Sequence, residues 1–218
     1  TGTAVTDGLT VAGNVSVDGG TIKLDGNYPV NTNNVALGDT ALDSLTSGTS
    51  STAIGSGALT ANTSGNENTA VGQIALAGNL SGGSNVAFGR ASLNANTTAS
   101  YNSAFGTDSL QVNTTGGSNT AVGFRSLFSN DTASNNTAVG YQSLYGNTTG
   151  TQNTAIGYLS MKNATVTGAH NTGVGSYSLY SLTSGTDNVA IGTSSLDVNS
   201  SGSSNTAIGR DALGANTT

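Results

Sequence analysis

The sequence predicts an all-β chain wound as a parallel β-roll, or β-solenoid, of eleven 17-residue coils. Three observations predict it: a unit that returns at a near-fixed interval, an apolar alternation inside each unit, and a turn signal that closes it. Aligned on N-[TV]-A-[VIFL]-G-x-x-[SA]-L, the unit begins at Asn34, Ser51, Asn68, Asn85, Asn102, Asn119, Asn136, Asn153, Asn171, Asn188 and Asn205. The steps are 17 residues seven times, 18 once between Asn153 and Asn171, and 17 twice more. Such a unit is too short for a helix pair or a propeller blade. It suits one coil of two short strands and two turns. Coils stacked at the usual strand spacing of about 4.8 Å give a rod of roughly 50 Å.

Residues 1–33 precede the repeats and read LTVAGNVSVDGGTIKLDGNYPV over most of their length. Short alternating runs between Gly and Asp turns predict a β-rich segment. Its expected place is over the open edge of the first coil, which a solenoid must cap. Residues 34–218 form the repeat domain.

Within a coil, position 1 is the opening Asn. Positions 2 to 5 (T-A-V-G) predict the first strand. In the seventh coil Thr137 and Val139 face one way, Ala138 and Gly140 the other. A second strand is expected around Ser143, Leu144 and Tyr145. The N-T-T-G at Asn147–Gly150 then reads as a turn, with Asn bonding its own backbone and Gly allowing positive φ. The Asn at position 1 predicts a side-chain amide ladder up the rod. Position 5 is Gly in all eleven coils, which points to crowding or an unusual φ.

Position 4 carries the large residues Leu37, Ile54, Val71, Phe88, Phe105, Val122, Val139, Ile156, Val174, Ile191 and Ile208. Position 3, on the opposite face, is Ala in every coil but one. Both faces of the strand are therefore apolar, and such a strand wants cover on both sides. The Ala face can meet the rest of its own thin coil. The large-residue row has no partner within the chain, so it is expected to be the shared axis of an oligomer. A parallel homotrimer closes naturally on such an axis, and cyclic symmetry of another order satisfies the same argument.

Composition excludes several classes. Charged residues are 7%, against about 25% in an average soluble domain. With 11 acidic and 5 basic residues, a nucleic-acid partner is not expected. The chain has no Cys, so disulfides and thiolate metal sites are out. There is no apolar run of about 18 residues, so membrane insertion by this segment is not expected. The opening TGTAVTDGLT lacks the basic start and apolar core of a signal peptide.

The strands NTAIG, NVAIG, NVALG and NTAVG, repeated through residues 34–218, resemble the head repeat of trimeric autotransporter adhesins, the YadA-like head. The same repeat type is similar to that of bacteriophage tail-fibre proteins, and the opening GLTVAGNVSVDGG fits the β-rich segments of such fibres. The resemblance implies a left-handed parallel β-roll, three chains side by side and apolar residues at the trimer axis. The 17-residue period exceeds the family's short repeat, which implies an enlarged turn at N-T-T-G.

No catalytic, cofactor or metal site is expected. His170 stands alone in the one 18-residue coil and reads as a surface bulge. The carboxylates Asp7, Asp18, Asp25, Asp39, Asp43, Glu67, Asp108, Asp131, Asp187, Asp197 and Asp211 show no regular spacing, whereas a calcium β-roll needs an Asp in every repeat. Sequons at Asn62, Asn96, Asn113, Asn147 and Asn199 coincide with one turn position, and turn chemistry accounts for them. The aromatics cluster: Phe124, Phe128, Tyr141, Tyr145, Tyr158, Tyr177 and Tyr180 are seven of the chain's eleven. They occupy the variable positions after the repeat Gly or Leu and are the candidate contact for a host receptor or glycan, against a plainer role in packing between chains.

The function expected is a structural and adhesive fibre segment. The leading form is a trimeric tail fibre on a virion, and the alternative is the head of a bacterial cell-surface adhesin; both are extracellular. An ice-binding solenoid is a further class, suggested by the Thr at position 2 (Thr52, Thr69, Thr120, Thr137, Thr154, Thr172 and Thr206) but interrupted by Val35, Val86, Ser103 and Val189. An enzyme such as a polysaccharide depolymerase has the least support.

Overall fold

The computed structural model describes residues 33–163 and 165–217. The capping segment expected over 1–33 lies, apart from Asn33, outside the described residues. Each repeat contributes one three-residue strand at positions 2–4, from β1 (Val35–Leu37) and β2 (Thr52–Ile54) through β7 (Thr137–Val139) to β11 (Thr206–Ile208). The eleven strands form one parallel sheet in sequence order, with equivalent positions paired throughout, as in Ala121↔Ala138 and Val122↔Val139. There is no helix among the described residues.

The interior is thin and built from two rows. Ala at position 3 is fully buried from Ala53 to Ala190, and Leu at position 9 packs against it from Leu42 to Leu196. Met161 replaces Leu in the eighth coil, and Gly173 replaces Ala in the ninth. These two changes answer one another. A Cβ on Gly173 would lie 3.0 Å from Met161 Cε, so the longer side chain fills the space of the missing methyl.

The second strand expected at Ser143–Tyr145 does not form; the segment is turn. Gln142 and Leu144 both have φ of +49°, and positions 7 and 9 repeat this pattern along the rod. A strand needs extended backbone at every residue. Alternating left-handed residues instead curl the chain so that Leu points inward. The segment still bonds coil to coil, with Leu144 N–H donating to Ser160 O at 2.9 Å.

Two ladders of asparagine hold the coils. At position 1 the expected ladder is present: Asn119 N–H donates to Asn102 Oδ1 and Asn136 N–H to Asn119 Oδ1, each at 2.9 Å. The Nδ2 of each also reaches the position-15 carbonyl of its own coil, as Asn119 to Ala133 at 2.9 Å. A second ladder runs at position 12, where Nδ2 donates to the preceding Oδ1 from Asn79→Asn62 up to Asn147→Asn130. The turn at 147–150 is therefore not the positive-φ turn expected. Neither Asn147 nor Gly150 has positive φ, and the turn is held by Asn147 Nδ2 donating to Gly150 O at 2.9 Å.

The second ladder ends abruptly. The next rung is Val166, buried and unable to donate, and Asn147 Oδ1 is a buried acceptor without a partner. Replacing a buried Val by Thr ordinarily destabilises, because the hydroxyl is stranded. Val166→Thr is expected to do the reverse, by giving that acceptor a donor in nearly the same volume. The expected gain is about 1 kcal/mol, a rise of roughly 2–4 °C in a thermal melt.

Candidate functional site

The Gly at position 5 turns the chain off the sheet, so positions 6–10 form a separate long face of the rod. Here every sequence-predicted aromatic is found, in two columns. Phe124 stacks on Tyr141 with ring centroids 5.5 Å apart and planes 20° from parallel. Tyr141 stacks on Tyr158 at 5.4 Å and 17°. Tyr177 then closes this column edge-on to Tyr158, at 5.5 Å and 74°. In the second column Phe128 stacks on Tyr145 at 5.2 Å and 5°. Lys162 takes the ring's place one coil higher, with Nζ 6.0 Å from the Tyr145 centroid. Tyr180 follows and meets Tyr177 at 5.6 Å, joining the two columns. Since the coils repeat in register, one aromatic per period becomes a ladder.

At the other end Arg125 bridges the columns, its guanidinium carbon 5.0 Å from the Phe124 centroid and 5.3 Å from that of Phe128. Its Nε lies 3.3 Å from Asp108 Oδ2, and Arg90 Nη2 lies 2.6 Å from Asp108 Oδ1. Asp108 is buried between the two arginines, which are both substantially exposed. This cluster was legible only as a spacing: Arg90, Asp108 and Arg125 stand 18 and 17 residues apart, which places them on adjoining rungs. Desolvation beside its neighbours, then the nearby Tyr158 phenol and its hydrogen bond, then Tyr180, push the Tyr177 phenol above the ordinary tyrosine range.

The position-4 row points outward from the sheet and is not part of the roll's own core. Phe88 is 53% exposed and Ile54 38%, and Leu37, Phe105, Val122, Ile156, Ile191 and Ile208 are similarly open. Val71, Val139 and Val174 are half-buried. The Thr row at position 2 shares this outer face. Eleven strands thus present a mostly apolar surface that no other part of the described chain covers.

No protein-family model, curated protein or solved structure matches the chain.

His170 lies on an exposed edge, with Nε2 2.7 Å from Gln152 Oε1 and Nδ1 3.7 Å from Asp187. Among the described residues no three His, Cys, Asp or Glu side chains gather as metal ligands. The sequon residues Asn62, Asn96, Asn113, Asn147 and Asn199 are fully buried, four of them as rungs of the second ladder. A glycan cannot be attached to a side chain so enclosed without opening the coil. No described helix is long and apolar enough to cross a membrane.

Proposed function

We propose that this chain is a structural and adhesive fibre segment in which three copies pack side by side along the outer face of the sheet. The observation that carries the reading is the row from Leu37 to Ile208, an apolar face running the length of the rod with no cover among the described residues. A contiguous apolar face of that extent favours association, since monomeric proteins rarely expose one larger than a few hundred Å². Three such faces meeting at an axis bury the row and leave the aromatic columns on the flank. The preferred setting is the tail fibre of a virion, and the alternative is the head of a bacterial trimeric adhesin. Joined sequence separates these two: a virion-attachment domain in the first case, a coiled coil and a membrane barrel in the second.

The test is the mass of the native particle by light scattering. Three times 21.3 kDa is the expected result, and a stable monomer overturns the buried-axis reading. A second reading, ice binding, draws on the placement of Thr52, Thr69, Thr120, Thr137, Thr154, Thr172 and Thr206 on that same outer face. A monomer with measurable thermal hysteresis is the outcome that favours it over the fibre.

A further inference from the structure

We infer that the aromatic face of coils four to nine binds an acidic, carboxylated polysaccharide laid along the rod. The inference rests on the adhesive half of the proposed function and names its ligand class. The first ground is how the rings are arranged. Phe124, Tyr141 and Tyr158 stack on one another, as do Phe128 and Tyr145, so their faces are largely consumed within the protein. What the columns offer outward is ring edges and the phenols of exposed Tyr141 and Tyr158. An aromatic face carries partial negative charge and an edge partial positive charge. A stack seen from its edge is therefore a surface for oxygen-rich, anionic groups rather than for the apolar face of a neutral sugar.

The second ground is charge. The whole chain carries a net charge of −6, yet coils four to nine carry three basic side chains on this face, Arg90, Arg125 and Lys162; Arg210, the fourth among the described residues, stands at position 6 of coil eleven, 3.3 Å from Asp211. The single acid beside them, Asp108, is buried and held by both arginines. The other acids of coils four to nine, Asp131 and Asp187, stand at positions 13 and 17, away from the stripe. Over coils four to nine the stripe is thus net positive, while Asp39 and Asp43 at one end of the same face and Asp197 and Asp211 at the other confine an anionic polymer to this middle stretch.

The third ground is the step. Successive groups recur once per coil, a step of about 4.8 Å along the rod, of the same order as one sugar residue in an extended chain. A carboxylated sugar polymer can therefore repeat its contacts rung by rung. Single-stranded nucleic acid fits less well, because its bases need open ring faces to stack upon.

The full chain would be immobilised and titrated with polygalacturonate, neutral dextran and a single-stranded DNA oligonucleotide, at low and at physiological salt. Polygalacturonate is expected to bind, weakening as salt rises, with dextran and DNA far weaker. Lys162→Ser is expected to weaken binding about tenfold, the worth of one charge-assisted hydrogen bond, while Lys162→Arg retains it. Arg210→Gln, on the same face but in coil eleven beyond the stripe and beside Asp211, is expected to change nothing. Absence of polygalacturonate binding, equal binding of dextran or DNA, or an Arg210→Gln loss equal to that of Lys162→Ser each overturns the inference. The wild-type salt series and Lys162→Arg carry the test if Lys162→Ser does not fold. Particle mass is read on the same samples, so a trimer without polyanion binding sinks this inference alone, whereas a monomer sinks the fibre reading.

Discussion

Gly123→Ala is expected to break the rod at its middle, lowering stability by about 4 kcal/mol or more, while Gly209→Ala is expected to do much less. Gly123 has φ of +128°, a conformation that an L residue rarely adopts. A Cβ there would stand 2.5 Å from Gly140 O and 2.8 Å from Gly140 C. Neither atom is the tip of a flexible side chain. Both belong to the backbone of the next coil, whose own position is fixed by the coil beyond it. The strain of an Ala at such φ adds about 1–3 kcal/mol to the clash. Gly209, at the last coil, has a similar φ of +124° but nothing within 4 Å of its Cβ position. The two variants thus share the conformational strain and differ only in the clash. Thermal melts of both, beside the parent, measure that difference, and limited proteolysis of Gly123→Ala is expected to cut near coils six and seven. Equal melting temperatures for the two variants would show that crowding between glycine rungs is not what fixes this position.

Asn119→Ala is expected to cost about 2–4 kcal/mol, several times the cost of truncating a surface polar residue. Asn119 is fully buried. Its Oδ1 accepts the Asn136 N–H, and its Nδ2 donates to Ala133 O. Alanine strands the buried Asn136 N–H, at about 1–3 kcal/mol, takes from Ala133 O one of its two donors (Asn130 Nδ2 remains) and adds a small cavity. Asn119→Asp isolates the donor. The acceptor for Asn136 survives, but two oxygens then confront Ala133 O, so the variant is expected to regain stability as pH falls and the carboxyl takes up a proton. A denaturant titration of the three proteins at neutral and acid pH checks the order. Asn119→Ala melting like the parent would mean that the ladder is an ornament on a sheet stable without it.

The parts of this fold that could be read from the sequence are those in which one residue type serves one physical need. Ala at position 3 must be small because the opposite side of the coil passes close by, and Gly at position 5 must be Gly for both φ and room. Asn at position 1 satisfies a buried N–H in the neighbouring coil, and hardly any other side chain does so at that length. What escaped had a different cause. Ser143, Leu144 and Tyr145 alternate as a strand would, but the left-handed backbone at Gln142 and Leu144 is imposed by the stacked coils and leaves no Gly or Asn as a marker. The second amide ladder hid inside turn-like N-T-T-G strings, whose Asn residues are chosen for what lies above and below them rather than for φ. The Arg90–Asp108–Arg125 cluster hid because its members sit at neighbouring positions of three different coils. The outward direction of the position-4 row was legible from the alternation alone, since a face that already meets Leu cannot also be the other one.

Because every coil touches only the coils on either side, and always through the same positions, the rod is also a ruler. Excising Asn102–Ser118 would join Tyr101 to Asn119 and set Val86–Phe88 beside Thr120–Val122, a junction of the same kind as those that it removes. The exchange shortens the molecule by one rung and leaves its cross-section unaltered. Length and surface are then adjustable separately: whole units set how long the rod is, while letters at positions 6, 7 and 10 set what its flank displays. A lineage can lengthen such a molecule by slippage between near-identical repeats in the gene, without inventing a single new contact.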